Sequence, residues 1–183
     1  QADYMTQKNS IEKIEEKAFA QFSVDTNFFM EIAKIRSFRV LWKAFGEAHG
    51  QENINAIPVH AETSLRSFSA LDATVNILRA ANSTLAAVLG GADSVTSFPH
   101  DILTSANPTS KRIARNMQLV LKEETHIQRV MDASGGSYYI ETLTKQLVEK
   151  AWALFLELIK EKSFELATVK LQERAESKWE EQL

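Results

Sequence analysis

Three short strand-like runs, each followed by a stretch with helical spacing, constrain this chain more than anything else in it. Residues 18–24 carry Phe19, Phe22 and Val24 in an apolar run of strand length. Ile57-Pro58-Val59-His60-Ala61 forms a second run, and residues 93–98 a third that is weaker and more polar. After the first, Asp25, Thr26 and Asn27 offer side-chain oxygens to cap a helix. Phe28, Ile32, Ile35, Val40 and Leu41 then recur at helical spacing, with Gly46 and Gly50 near the expected stop. After the second, residues 69–72 lead into a stripe of Leu78, Ala81, Leu85 and Val88 that ends at Gly90-Gly91. After the third, Asn107-Pro108 reads as an N-cap followed by proline at the first helical position, where its missing N–H costs nothing. Ile113, Met117, Val120 and Leu121 of that helix are expected to face inward. This alternation is the rhythm of crossover units on a parallel sheet.

The remainder is helical in pattern. Gly135-Gly136 precedes a long stripe of Leu143, Leu147, Ala151, Leu154, Phe155 and Leu158. From Lys160 onward, Phe164, Leu166, Val169, Leu171 and Trp179 are spaced along a charged segment. The chain thus divides into a polar N-terminal helix or linker (1–17), βα units (18–159) and a charged C-terminal helix (160–183). The expected class is α/β, with parallel strands and long C-terminal helices. A complete (β/α)8 barrel needs roughly 250 residues. With 183 residues and three visible strands, the chain is either a small open α/β domain or part of a larger barrel. A short parallel sheet leaves two unpaired edges, which are templates for association, so self-association is expected.

Composition excludes several classes of function. There is no cysteine, hence no disulfide scaffold, thiol nucleophile or cysteine-ligated metal. A net charge of -3 argues weakly against nucleic acid as a partner, since duplex binding usually needs a concentrated basic face. No run approaches the roughly twenty apolar residues that cross a bilayer, and the first residues lack a signal pattern. A soluble, cytoplasmic chain is expected. His49, His100 and His126 show no paired ligand spacing, so no metal site is expected. The glycine pairs match neither a P-loop nor a dinucleotide fingerprint. No Asp-x-His-x-x-Gly stretch is present to offer a histidine to the cobalt of a cobalamin.

The leading site candidate is His60, placed at the expected C-terminal end of the second strand with Glu62, Thr63 and Ser64 just after it. Active sites of parallel α/β folds gather at strand C-termini. Such a cluster suits a substrate carbonyl or a general acid. The alternative is a strand-end histidine capped by a neighbouring backbone group. Arg66 could hold an anion, but such a loop arginine is more often solvated. Arg36 and Arg39 on the first helix either point at an anionic ligand or lay their stems along packed surface. His100-Asp101 is no triad, because no serine sits in a nucleophile-elbow context.

Five segments carry a further signal, in chain order. They are Asn27-Phe28-Phe29-Met30-Glu31-Ile32-Ala33-Lys34-Ile35-Arg36, His60-Ala61-Glu62-Thr63-Ser64, Leu85-Ala86-Ala87-Val88-Leu89-Gly90-Gly91, Ser110-Lys111-Arg112-Ile113-Ala114-Arg115-Asn116-Met117-Gln118 and Gly135-Gly136-Ser137-Tyr138-Tyr139. Together they resemble the substrate-binding barrel of the adenosylcobalamin-dependent methylmalonyl-CoA mutase family, over residues 19–157. The departures are as informative. The family pattern His-x-Gln-Thr-Ser-Gly-Trp-Ser meets Glu62 in place of glutamine and Leu65-Arg66 in place of Gly-Trp. The pattern Gly-Gly-Thr-Gln-Ser-x-His meets Asp93 in place of glutamine and Thr96 in place of histidine. An amide donates and accepts, whereas an ionised carboxylate only accepts. Two new carboxylates at the mouth of the barrel should cost a thioester substrate several kcal/mol if buried and unpaired.

The pattern resembles the small, non-catalytic subunits of that family, which pair with a catalytic large subunit. The resemblance implies the C-terminal part of the substrate-binding barrel, without its first strands and without a cobalamin domain. Adenosylcobalamin would then sit elsewhere in the complex that interconverts methylmalonyl-CoA and succinyl-CoA, with no cofactor and no metal on this chain. His60, Glu62, Ser64, Asp93 and Arg36 would be vestigial substrate-site residues, His60 being the one that polarises a thioester carbonyl. Arg36 and Arg79, which match family arginines, would serve packing or ion pairing first. Two alternatives are an active acyl-CoA mutase fragment of altered specificity and a module that binds a CoA-type ligand without chemistry.

Overall fold

The structure is a computed structural model and describes residues 13–14, 16–51, 54–161 and 163–180. The expected N-terminal segment 1–17 lies outside the described residues except for 13–14, which are helical, and 16–17, which form a turn; the Trp179 side chain lies outside them too. In chain order the elements are β1 (Ala20–Val24), α1 (Phe28–Ala48), β2 (Val59–Thr63), a 3-10 turn (Leu65–Ser67), α2 (Asn76–Leu89), β3 (Ser94–Thr96), α3 (Pro108–Thr125), a second 3-10 turn (Ile127–Arg129), α4 (Tyr138–Leu158) and α5 (Phe164–Glu180). The three strands are parallel, in the order β1-β2-β3, with no reversal of chain order. Ala20 stands opposite Val59, and His60 opposite Ser94.

Side chains alternate across a strand, and here the alternation separates two unlike faces. Val24, Val59 and Ala61 point toward the helices and meet Ile32 and Ile35 of α1, Ala86 and Ala87 of α2 and Ile140 of α4 in the main core. Gln21, Ser23, His60, Glu62, Ser94 and Thr96 occupy the alternate positions, so the second face is polar. A second cluster of Ile14, Trp42, Phe45 and Ile57 takes in Phe155 of α4 and packs the far end of α1.

β2 begins and ends two residues later than the apolar run suggests. Pro58 has no N–H to give the ladder, so it stands just before the strand, where its carbonyl accepts from Ala20 N at 2.8 Å. The alternation then continues through Thr63. His60 is therefore the second residue of β2 and not its last.

The helices show parallel corrections. Gly46 does not stop α1; it lies inside it, where an added Cβ would stand 2.6 Å from Ile54 Cβ. Asn27 takes the cap position of α1 without a side-chain hydrogen bond, and Asp25 Oδ1 accepts from Thr26 N at 2.7 Å instead. On α2 the buried face is Asn76, Ala80, Ser83, Thr84, Ala86 and Ala87, while Leu78, 72% exposed, and Val88, 40% exposed, point outward. Small side chains win that face because α2 lies close to the sheet and α1. At its end, a Cβ on Gly90 would come within 3.0 Å of Ile35 Cβ and 3.2 Å of Ile32 O. The buried hydroxyls on it are satisfied, Ser83 Oγ donating to Asp25 O at 3.1 Å and Thr84 Oγ1 meeting Ser97 Oγ at 2.7 Å. The Asn107-Pro108 cap of α3 forms as expected, with Asn107 Oδ1 accepting from Thr109 N and Ser110 N at 2.9 and 3.0 Å. Val120, expected inward, is 57% exposed, while Ile113, Met117 and Leu121 are half-buried.

Asn76 joins three segments at the C-terminal end of the sheet. It is fully buried. Its Oδ1 accepts from Ser69 N at 2.9 Å and Arg79 Nη1 at 3.0 Å, and its Nδ2 donates to Ser69 O at 2.9 Å and His100 O at 2.8 Å. Truncation leaves several half-buried partners unpaired, so Asn76→Ala is expected to lower stability by about 2 kcal/mol in urea unfolding. A loss below about 1 kcal/mol would show that the loops hold without it.

Candidate functional site

The polar sheet face is cross-linked by its own side chains. Ser94, directly opposite His60 in the register, places Oγ 2.7 Å from His60 Nδ1. Thr96, opposite Glu62, turns its Oγ1 back to 3.2 Å from His60 Nε2. From the other neighbouring strand, Gln21 Nε2 donates to Glu62 Oε2 at 3.1 Å. Each pair shares a face of adjacent strands, where side chains at direct and diagonal positions lie within reach. Ser64 follows β2 and is buried; its N–H donates to Val24 O at 2.8 Å and its carbonyl accepts from Ser67 Oγ at 2.8 Å.

Asp93 immediately precedes Ser94, the register partner of His60. It precedes β3 and lies level with the start of β2, its N–H donating to Val59 O at 2.9 Å. Its Oδ2 accepts from Val59 N at 2.7 Å and from Arg39 Nη2 at 2.9 Å. Arg39 also donates to Gly91 O, from Nη2 at 2.6 Å and Nε at 3.2 Å. Partial burial pushes the Asp93 carboxyl upward, but the Val59 N–H and the Arg39 guanidinium more than offset this and leave its pKa below the ordinary value.

Arg36 belongs to the helix layer. Its Nη1 donates to Asp132 Oδ2 at 2.8 Å and to Ser134 Oγ at 3.0 Å, and its Nη2 donates to Glu141 Oε1 at 3.0 Å. Ser134 Oγ donates onward to Leu89 O at 2.9 Å, so Arg36 fastens the loop before α4 to the end of α2. The Arg36 guanidinium beside Asp132 holds that carboxyl below its usual range. A cleft of about 790 Å³ opens on this side, lined by Arg36, Arg39, Val88, Leu121 and Thr144 among others. The structure thus brings His60 and Glu62 together on the polar face and puts Arg36 and Asp93 in the lining of the same cleft. Arg66 and Arg79 lie off this face, Arg66 in the 3-10 turn and Arg79 on α2 beside Asn76. Gln21, Ser94 and Thr96 as partners of the site, and Arg39 as the partner of Asp93, escape sequence reasoning, because only the strand register brings them together. Among the described residues no group of three or more His, Asp or Glu side chains is gathered as for a metal ion, and no helix is long and apolar enough to cross a membrane.

Residues 3–168 match the family model described as methylmalonyl-CoA mutase. The chain belongs to that family. It is 44% identical over 149 residues to the methylmalonyl-CoA mutase small subunit of Porphyromonas gingivalis, covering 79% of this chain and 24% of the relative. The small subunit of Streptomyces virginiae is 42% identical over 148 residues, covering 78% and 24%. The protein of Rhizobium meliloti named simply methylmalonyl-CoA mutase is also 42% identical, over 141 residues, covering 75% and 20%. The chain spans about a quarter or less of the length of these mutase relatives. Identity alone does not separate small subunits from the others, so the residues at the site must decide.

The Asp93 lock has a pH signature in this mutase-family domain. A depressed carboxylate pKa contributes stability that is present above the unfolded-state value and lost as pH falls through the folded one. Between about pH 5 and about pH 3, wild type is expected to lose more stability than Asp93→Asn, as measured by urea midpoints across that range. Identical slopes would show that the Arg39 and Val59 contacts do not favour the charged form.

Proposed function

We propose that this chain is part of a structural, non-catalytic subunit of an adenosylcobalamin-dependent methylmalonyl-CoA mutase. It forms a sector of the subunit's (β/α)8-type barrel. It works in the cytoplasm by pairing with the catalytic large subunit that interconverts methylmalonyl-CoA and succinyl-CoA. The observation that carries this reading is the use made of Asp93: where the resembled pattern has a neutral amide, this chain has a carboxylate consumed by Arg39 and by the Val59 backbone. Glu62, the second such replacement, is directed at Gln21 within the sheet. Groups already bonded inside the scaffold leave little to recognise a thioester, and acceptor-only carboxylates oppose an anionic substrate. Sequential parallel strands, with helices against one face and polar side chains on the other, suit a barrel wall.

Two of the histidines are already engaged within the chain. Both His60 nitrogens have hydroxyl partners, and His49 lies against the Phe45 ring with Nδ1 2.9 Å from Phe45 O. In this reading adenosylcobalamin belongs to the catalytic subunit, and this chain contributes wall and interface.

Two measurements test the proposal. Given adenosylcobalamin and methylmalonyl-CoA, the full-length subunit alone is expected to give no succinyl-CoA, and the co-purified pair to turn over; isomerisation by the subunit alone overturns it. Among the described residues β1 and β3 are the edge strands of the sheet, and in this reading their edges lead to self-association of this chain when the large subunit is absent. Sedimentation is expected to show a dimer or larger species at micromolar concentration, and a monomer would count against it.

A further inference from the structure

We propose that Ser94 and Thr96 form a hydroxyl clamp on His60, positioning residues that keep both nitrogens of this half-exposed imidazole engaged and so mask a latent proton-transfer or ligand-binding group. Ser94 Oγ stands 2.7 Å from Nδ1 and Thr96 Oγ1 3.2 Å from Nε2, both from β3. A neutral imidazole has one donor and one acceptor, and a hydroxyl can serve either role. The clamp is therefore satisfied in both tautomers, one hydroxyl accepting from the ring N–H and the other donating to the bare nitrogen. Register sets its reach. Ser94 is the direct cross-strand neighbour of His60, and Thr96, opposite Glu62, closes the diagonal. Threonine suits that diagonal because its branched Cβ restricts χ1 and limits where the hydroxyl can point. Glu62 does not compete for the same hydroxyl, being directed to Gln21 on β1. Any molecule that would reach either nitrogen must first displace a protein hydroxyl.

The clamp is independent of the subunit reading, because it is tested without substrate, cofactor or partner. The probe is diethyl pyrocarbonate on the full chain, with acylation followed by mass spectrometry of the peptide that carries residue 60. The exposed His126 serves as internal reference. Thr96→Val keeps the shape and removes the hydroxyl, and is expected to raise the His60 rate about fivefold relative to His126, the factor expected for one lost hydrogen bond. Adding Ser94→Ala raises it further, and Thr96→Ser, which restores the hydroxyl, reacts at the wild-type rate. A wild-type rate in Thr96→Val, or Thr96→Ser reacting as fast as Thr96→Val, overturns the clamp. Should the valine variant fail to fold, Ser94→Ala alone decides: a raised His60 rate supports the clamp, and the wild-type rate refutes it.

Discussion

The approach of α2 to the sheet and to α1 sets the geometry of everything else. Ala86 and Ala87 reach the main core between Ile32, Ile35, Val59 and Ala61, and Gly90 closes the contact where an added methyl group would press to 3.0 Å from Ile35 Cβ. Because these side chains are small, the short β2–β3 pairing can sit directly under α2, and the residues around β3 fall where they can be used. Asp93 reaches the first amide of β2, while Ser94 and Thr96 reach His60. A larger residue on this helix face would lift α2 and strain the register on which those contacts depend.

Much of the architecture was legible because period and punctuation agree. The strand–helix alternation, the Asn107-Pro108 cap and the long α4 stripe all match the observed elements. What escaped was set by tertiary contact. α2 looked amphipathic through Leu78 and Val88, but proximity to the sheet selected its small and hydroxylated face instead. β2 was misplaced by two residues because Pro58 is apolar and yet cannot join the ladder as a donor. His60 and Glu62 were readable as neighbours from their i, i+2 spacing. Asp93 resembled a companion of theirs in the sequence motif, but the register sets it level with Val59, where its carboxylate turns to the Val59 amide and not to His60, and a pair such as Arg39 and Asp93, 54 residues apart, leaves no local trace.

Family membership and site chemistry speak to different questions. Likeness to small subunits and to mutases of undivided name is nearly equal, so ancestry identifies the scaffold and the side chains must identify the role. At three of the replaced positions the new group turns toward the scaffold: Asp93 toward Arg39, Glu62 toward Gln21, Thr96 toward His60. That convergence on internal bonding is what supports the proposed structural role.

The polar side of the sheet satisfies much of its hydrogen bonding without help from above. A surface of that kind has no need of a dry lid, and water can stand against it at little cost in free energy. Whatever fills the space it borders can therefore change, from solvent to solute and back, without loosening the strands beneath.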